Sequence, residues 1–400
     1  MTKPFPLRFA KGTLLASVMA MGFSQTILFA VLAPLGREIG LTEIQVGAII
    51  SASSVTVFIA MPIWGRVSDV WGRRKVILIG LFGYSIGTIL FASVFQAALM
   101  GLFIPVVAFV CLTLARVTNA AVMAATQPAS TAYMADITDV ATRTKGMGQI
   151  GAANNLGAIL GPAVGGVLAA YTLLTPIWFS AVVTFIAALV VLAALPDIPG
   201  QVRKNKLPRL KYTDKRILPF VFVGIFMFMG FAIVQQTMAF RFQDTLNLTA
   251  AETARVVGIG MMFSAFFSLV AQMLVLPRIQ VVPFTLLKIA MPILIGAFLM
   301  MAMGESRLVL TTAMAIQGFG MGLAGPGFMS GASLAVSQEE QGSVAGVANS
   351  CGPLGFTIGP LLGTFLYSIQ PDYPYWFTCI VYVPLFIFTM TFKPARLKAE

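Results

Sequence analysis

The sequence predicts an all-α membrane protein with twelve transmembrane helices arranged as two pseudo-symmetric six-helix bundles. The 400 residues are 58% hydrophobic and only 10% charged, whereas about a quarter of a soluble domain is charged. Twelve apolar runs follow one another, each about as long as a helix that crosses a bilayer. Motifs in the second half repeat motifs in the first half. Because a backbone in lipid must satisfy its own hydrogen bonds, we expect the runs to be helices rather than open strands.

The predicted spans divide the chain near its middle. They cover roughly residues 12–34, 45–64, 76–95, 99–125, 146–170, 176–195, 217–240, 254–276, 284–303, 307–330, 344–367 and 375–392. The one long polar segment between them predicts an N-terminal bundle at 1–195, a cytoplasmic linker at 196–216 and a C-terminal bundle at 217–400.

The fifth and eleventh runs carry the same motif. Gly157, Gly161, Pro162 and Gly165 in the fifth run return as Gly355, Gly359, Pro360 and Gly363 in the eleventh, each 198 residues later. A period of half the chain indicates two duplicated halves, and parallel repeats of this kind place a substrate site near the bilayer midplane. Glycines four residues apart share one helix face and let a second backbone approach closely.

The basic residues are distributed unevenly between the loops. With twelve spans and both termini inside, the inner segments hold 21 of the 26 Lys and Arg, the outer segments hold four, and Arg116 lies within a span. This is the positive-inside bias, and it predicts cytoplasmic termini. The net charge of +12 therefore indicates membrane topology, and we expect no nucleic-acid partner.

Several classes of function find no support in the sequence. There is no histidine, and no HExxH, paired CxxC, P-loop or GxSxG motif is present. The three cysteines fall in apolar runs and are odd in number, so they indicate no disulfide framework. We expect neither an enzyme nor an ATP-driven pump, and no metal or cofactor.

One charge and a set of uncharged polar side chains lie deep in the predicted spans. Arg116 would cost at least a few kcal/mol in lipid, so it should face a cavity or a partner. Arg116, Asn119, Met123 and Gln127 follow the spacing of one helix face. The other members of the set are Gln25, Asn154, Gln235, Gln236, Gln317 and Asn349. We expect these residues to line a substrate cavity; the alternative is interhelical hydrogen bonding, at about 1 kcal/mol per contact. No acid lies at the centre of a span, which favours neutral or anionic substrates.

Two motifs resemble those of a known family. Gly65, Asp69, Gly72, Arg73, Arg74 and Lys75 lie between the second and third runs in the order of the signature turn of the major facilitator superfamily. The stretch from Gly157 to Gly166, Gly-x-x-x-Gly-Pro-x-x-Gly-Gly, resembles the helix-5 motif of the bacterial drug–proton antiporter branch. The resemblance implies the major facilitator fold.

The resemblance also implies roles for single residues. Arg116 is similar to the helix-4 arginine of the family, which lies near the substrate or proton site, although Asn119 stands where the family often has glycine. Arg73 would pair with Asp136. Asp69 would cap the cytoplasmic start of the eleventh span, near residues 342–346. Together these residues would form a latch that closes the cytoplasmic side.

The function that the resemblance implies is secondary active transport by alternating access. The chain would be a monomer in the bacterial inner membrane, with the lipid bilayer, protons and a small molecule as partners. It would export a small amphiphilic drug-like or metabolite substrate, with the proton gradient as its energy source. Three alternatives stay open: a dedicated exporter of one anionic or neutral metabolite such as a carboxylate siderophore, an importer, and a membrane receptor or scaffold that transports nothing.

Overall fold

A computed structural model describes residues 7–139, 142–197, 213–278, 283–337 and 340–391. The described residues form thirteen α-helices. They are α1 Leu7–Glu38, α2 Glu43–Trp71, α3 Arg73–Leu99, α4 Pro105–Met123, α5 Thr126–Asp136, α6 Arg143–Leu168, α7 Thr175–Ala194, α8 Leu218–Leu246, α9 Ala250–Val270, α10 Pro283–Met303, α11 Arg307–Leu334, α12 Gln341–Ile369 and α13 Tyr373–Thr391. A π-helical turn, Ala271–Val275, and a 3₁₀ turn, Leu276–Arg278, extend α9.

The helices confirm the predicted all-α membrane class. Eleven segments of the described chain are helices long and apolar enough to cross a membrane, with α4 and α5 counted as one and α9 counted with its extension. The remaining helix, α12, also reaches 29 residues but contains Pro353 and Pro360, and its glycines and polar residues lower its hydropathy. Eleven segments and α12 together match the twelve predicted spans.

The fourth span differs from its predicted bounds of 99–125. It begins at Pro105 and, after a break between α4 and α5, continues to Asp136. Gly101 has a φ of +75°, a conformation that favours glycine, and it turns the chain just after α3 ends. Pro105 then occupies the first turn of α4, where its missing N–H costs no helical hydrogen bond. The predicted linker at 196–216 lies mostly outside the described residues.

The turn between α2 and α3 consists of one residue. Gly72 has a φ of +93°, which a residue with a Cβ atom rarely adopts. The glycine therefore lets α3 begin directly after α2 ends. At its other end α2 starts with a capping box, in which Thr42 and Gln45 exchange side-chain to backbone hydrogen bonds and satisfy two N–H groups that a helix start leaves free.

The chain forms two compact units, one drawn from residues 1–203 and 250–258 and the other from 204–249 and 259–400. In the first unit α6 packs against α1 through the glycines of the repeated motif. A Cβ atom at Gly161 would lie 2.5 Å from the Phe23 carbonyl oxygen, and one at Gly165 would lie 2.8 Å from the Ile27 side chain. The motif thus brings the two backbones together.

The second unit repeats this packing with α12 and α8. A Cβ atom at Gly355 would lie 2.6 Å from the Met229 backbone nitrogen, and one at Gly359 would lie 2.7 Å from the Met229 carbonyl oxygen. Gly363 contacts Ile233 in the same way. The repeat found in the sequence is therefore a repeat of one helix–helix contact.

Candidate functional site

Arg116 of α4 lies inside the first unit rather than on its surface. The residue is 7% exposed and borders a small cavity with about 10 Å³ of space, enough for about one water molecule. The cavity is lined by Ser24, Ile27, Leu28, Tyr84, Thr88, Phe91, Arg116, Asn119, Ile177 and Ser180, which come from α1, α3, α4 and α7. The Arg116 Cζ atom is 6.0 Å from the centre of the Phe91 ring, within range of a weak cation–π contact.

Hydrogen bonds order the polar side chains around this cavity. Asn119 Nδ2 donates to Thr88 Oγ1 at 3.1 Å, and Tyr84 Oη donates to the Ser24 carbonyl oxygen at 2.7 Å. A Cβ atom at Gly87 would lie 2.8 Å from Asn119 Cγ, so this glycine makes the room that Asn119 occupies.

The guanidinium lacks an acidic partner in this cavity. The lining holds no carboxylate, and Arg116 Nε and Asn119 Oδ1 are buried without a hydrogen-bond partner among the described residues. A buried charge is costly unless it is paired and hydrogen-bonded. The site can therefore bind an anion or the negative end of a dipole, and it can disfavour a cation nearby.

The remaining polar residues predicted in the first unit lie along α1, α5 and α6. Gln25 Nε2 lies 2.9 Å from Met123 Sδ, and Met123 is buried. The backbone and side chain of Asn154 pack against Gly22. Gln127 is half-buried. The structure thus brings Arg116 close to Asn119 and Gln25 close to Met123.

The predicted residues of the second unit have unequal exposure. Gln236 and Gln317 are each 3% exposed, Gln235 is half-buried, and Asn349 is exposed. Gln317 Nε2 has no hydrogen-bond partner among the described residues. That the two sets of polar residues line one cavity stays a prediction.

The charged turn between α2 and α3 is ordered around Arg73. Its Nε donates to Asp136 Oδ2 at 3.2 Å, its Nη1 donates to Ser68 Oγ at 2.7 Å, and it forms an ion pair with Asp69. Arg73 is the first residue of α3, where the positive end of the helix dipole disfavours a cation. The two carboxylates offset this repulsion, and they hold the ends of α2 and α5 to the start of α3.

The neighbouring glycines and α7 complete this cluster. Gly65 of α2 lies against Pro128 of α5, and Gly72 supplies the left-handed turn. Arg74 Nη2 donates to the Leu192 carbonyl oxygen at 2.5 Å. Tyr133 Oη donates to the Pro196 carbonyl oxygen at 3.0 Å. The signature turn therefore also holds the end of α7.

Sequence reasoning missed the side chains that surround Arg116. Tyr84 and Thr88 are one turn apart in α3, and Ser24 and Ser180 lie in α1 and α7. Each is an uncharged polar residue within a long apolar run. The spacing of Tyr84, Gly87 and Thr88 on one helix face is the signal that could have identified α3 as a partner.

Comparison with known proteins gives consistent similarities. The family model described as Major Facilitator Superfamily matches residues 14–354. Multidrug resistance protein 1 of Bacillus subtilis is 26% identical, with 91% of each chain covered. Quinolone resistance protein NorA of Staphylococcus aureus is 22% identical, with 84% of each chain covered.

Solved structures agree with the family match in their fold. A bacterial homologue of the human lysosomal transporter Spinster, in an inward-facing and occupied conformation, superposes with a TM-score of 0.74 at 15% identity over the whole of both chains. The human organic anion transporter MFSD10 superposes with a TM-score of 0.68 at 20% identity, covering 96% of this chain and 99% of that one. These similarities confirm the predicted fold.

Proposed function

Because the chain belongs to the major facilitator superfamily and is a membrane transporter rather than an enzyme, we propose that it exports small amphiphilic compounds coupled to inward proton flow. The export would proceed by alternating access across the bacterial inner membrane, with both termini in the cytoplasm and no cofactor. The names of its relatives, multidrug and quinolone resistance proteins, support export of drug-like molecules.

The observation that carries this proposal is the buried Arg116 without a carboxylate in its cavity. The charge has a simple consequence for substrate choice. At an effective dielectric constant of about 20, a guanidinium repels a monovalent cation about 8 Å away by about 2 kcal/mol. That is roughly a thirtyfold preference against a cation, so we expect neutral or anionic substrates to be favoured.

The cavity itself is too small for a drug in the described conformation. With space for about one water molecule, it cannot hold a substrate as it stands. We therefore assign Arg116 a fixed electrostatic role, in which its field acts on substrates or protons bound elsewhere on the polar faces of the bundle.

The charged turn would act as a conformational latch. Arg73 gathers Asp69 and Asp136, and the resemblance adds a cap by Asp69 on the start of α12. Breaking these contacts would release the closed cytoplasmic side. Arg73 itself is buried while both carboxylates keep some contact with solvent, so the contact can open in a transport cycle only if the guanidinium gains other partners.

A second candidate function is dedicated export of one anionic metabolite. The same unpaired guanidinium favours it, because a fixed positive charge without a nearby acid suits a carboxylate substrate. This candidate differs from a drug exporter in its breadth of substrates rather than in its fold or its energy source.

Flux into proteoliposomes with an imposed pH gradient tests both candidates. The probes are ethidium as a cation, chloramphenicol as a neutral drug, norfloxacin as a quinolone and citrate as a polycarboxylate. Gradient-dependent flux of chloramphenicol and norfloxacin above that of ethidium supports the drug exporter, and flux of citrate alone supports the dedicated one. Flux that ignores the gradient for every probe contradicts proton coupling.

Two arginine variants separate a site effect from a loss of fold. Arg116→Ala should abolish flux while the protein still purifies as a folded species. Arg307→Ala removes an exposed arginine at the start of α11 and should leave flux unchanged. An Arg116→Ala protein with the wild-type rate removes this residue from the mechanism.

A further inference from the structure

A second polar cluster lies at one end of the second unit, opposite the end where Asp214 and Arg216 precede α8. Thr237, Arg241 and Asp244 share one face of the last turns of α8. Three other helices meet this face: the end of α10, the end of α12 and the start of α13. The basic bias of the loops places this end outside the cell.

Arg241 and Asp244 connect α8 to two of these neighbours. Arg241 Nη2 donates to the carbonyl oxygens of Ala302 and Gly304, at 3.0 and 3.2 Å, and so satisfies the carboxyl end of α10. Tyr367 Oη of α12 donates to Asp244 Oδ2 at 2.7 Å. Tyr367 is 4% exposed, whereas Asp244 is exposed, so one carboxylate joins outer water to the buried interior.

Tyr375 of α13 completes the cluster from the inside. Its side chain is fully buried, it is within electrostatic range of Arg241 and Asp244, and its hydroxyl makes no hydrogen bond to a described residue by geometry. A buried hydroxyl without a partner is costly. A rearrangement of this cluster that gave Tyr375 a partner would therefore gain free energy.

Asp244 is also unusual among the acids of its unit. It has the sole carboxylate side chain within the described helices of the second unit, which are α8, α10–α13 and the part of α9 from residue 259. The sequence has no histidine, so a group in these helices that binds a proton near or below neutral pH must be another side chain, and a carboxylate is the ordinary choice.

We propose that Asp244 is a proton-binding switch on the outer face of the second unit. In the ionised state the carboxylate accepts the Tyr367 hydrogen bond and holds α12 to α8. A proton from outer water adds to the carboxylate and forms the neutral acid, a weaker acceptor. The Tyr367 contact then weakens, while Arg241 stays bound to the carbonyl oxygens of Ala302 and Gly304. Low external pH would loosen the contact between the ends of α8 and α12.

Hydrogen–deuterium exchange of residues 363–376 in the purified full chain tests the switch without any substrate. After correction for intrinsic exchange, lowering the pH from 8 to 3 should raise exchange in the wild type severalfold, toward the roughly tenfold effect of losing one hydrogen bond to a charged group, because aspartate carboxyls ordinarily take up a proton only below about pH 4. Asp244→Asn and Tyr367→Phe should exchange fast at both pH values. Asp244→Glu, which keeps the carboxylate, should restore the pH response.

Two matched controls address the other acids at this end. Asp372→Asn removes an exposed carboxylate that accepts from Trp376 Nε1, and Glu305→Gln changes the acid next to Gly304. Both should keep the wild-type response. A wild-type protein without a response between pH 8 and 3, an Asp244→Asn protein that still responds, or a response lost in either control would overturn the proposal.

A transport measurement separates this proposal from the proposed function. Of the two experiments, only this one rests on the proposed function, because it requires the protein to transport chloramphenicol. Chloramphenicol exchange is measured with equal pH on both sides, so no gradient drives it. Exchange should change with pH in the wild type but not in Asp244→Asn. If gradient-driven flux is absent while this pH effect persists, coupling fails and the switch stands. If flux is gradient-driven and Asp244→Asn keeps the wild-type pH profile, the switch fails.

Discussion

Replacing Gly157 by alanine tests the close contact between α6 and α1. A Cβ atom at this position would overlap the Met19 carbonyl oxygen and would lie 2.7 Å from the Phe23 backbone nitrogen. These are backbone atoms, so no side-chain rotation can relieve the overlap and the two helices must separate. We expect Gly157→Ala to destabilise the protein.

The magnitude follows from two opposing effects. Alanine favours a helix over glycine by about 1 kcal/mol, whereas overpacking a tight contact costs about 1–3 kcal/mol or more. Gly151 of the same helix supplies the control, because a Cβ atom there has no neighbour within 4 Å. Gly151→Ala should therefore gain helix propensity without any clash, and because both variants share that gain they should differ by the overpacking cost alone, about 1–3 kcal/mol or more.

Thermal unfolding in one detergent and lipid mixture measures this difference. A chain of this size should shift by about a degree or two per kcal/mol, so Gly157→Ala should melt a few degrees below Gly151→Ala. A Gly157→Ala protein that melts with Gly151→Ala or above it would refute the contact between α6 and α1.

Three further predictions concern the charged and capping residues. Arg73→Gln and Asp136→Asn should each lower transport severalfold in flux assays. Because both variants lose the same contact, the double variant should be no worse than the more impaired single one. Additive losses would show that the two residues act independently. Thr42→Ala should cost about 1 kcal/mol through loss of the helix cap, seen as a lower Tm, and an unchanged Tm would contradict it. Hydrogen bonds from Arg216 lower the pKa of Glu340 from 4.5 to about 2. Because a lowered carboxyl pKa stabilises the fold above the unfolded value and is lost as pH falls through the folded one, the Tm gap between wild type and Glu340→Gln should stay constant from pH 8 to 5 and close toward pH 2.

The sequence predicted the fold more fully than the site. Hydropathy located the spans because length and apolar composition alone decide whether a helix can cross a bilayer. The break after Met123 and the start at Pro105 depend on local turn geometry, which hydropathy does not contain. The repeat predicted the faces of α6 and α12 that pack tightly, because glycine spacing fixes a face of a helix.

The surroundings of Arg116 could not be predicted in the same way. Its burial follows from its place in an apolar run, but its neighbours Tyr84, Thr88 and Ser24 come from α1 and α3, far away in the sequence. Only the packing of those helices decides which polar residues of each run line the cavity of the guanidinium. The spacing of α4 residues 116, 119, 123 and 127 gave a face, and the structure shows that Arg116 and Asn119 on it turn toward α3.

The contacts of each unit fall into two kinds, and the difference bears on how such a protein can move. Glycine contacts such as Gly161 on Phe23 and Gly359 on Met229 join backbone to backbone, and close-packed contacts of this kind do not deform continuously. The pairs α1–α6 and α8–α12 should therefore move as rigid bodies. The ion pairs of Arg73 lie at helix ends and join side chains, so their partners can be exchanged without separating packed backbones. Since a ligand shifts a conformational equilibrium only by its difference in affinity for the two states, a substrate or a proton can open such pairs but cannot separate the glycine-packed helices.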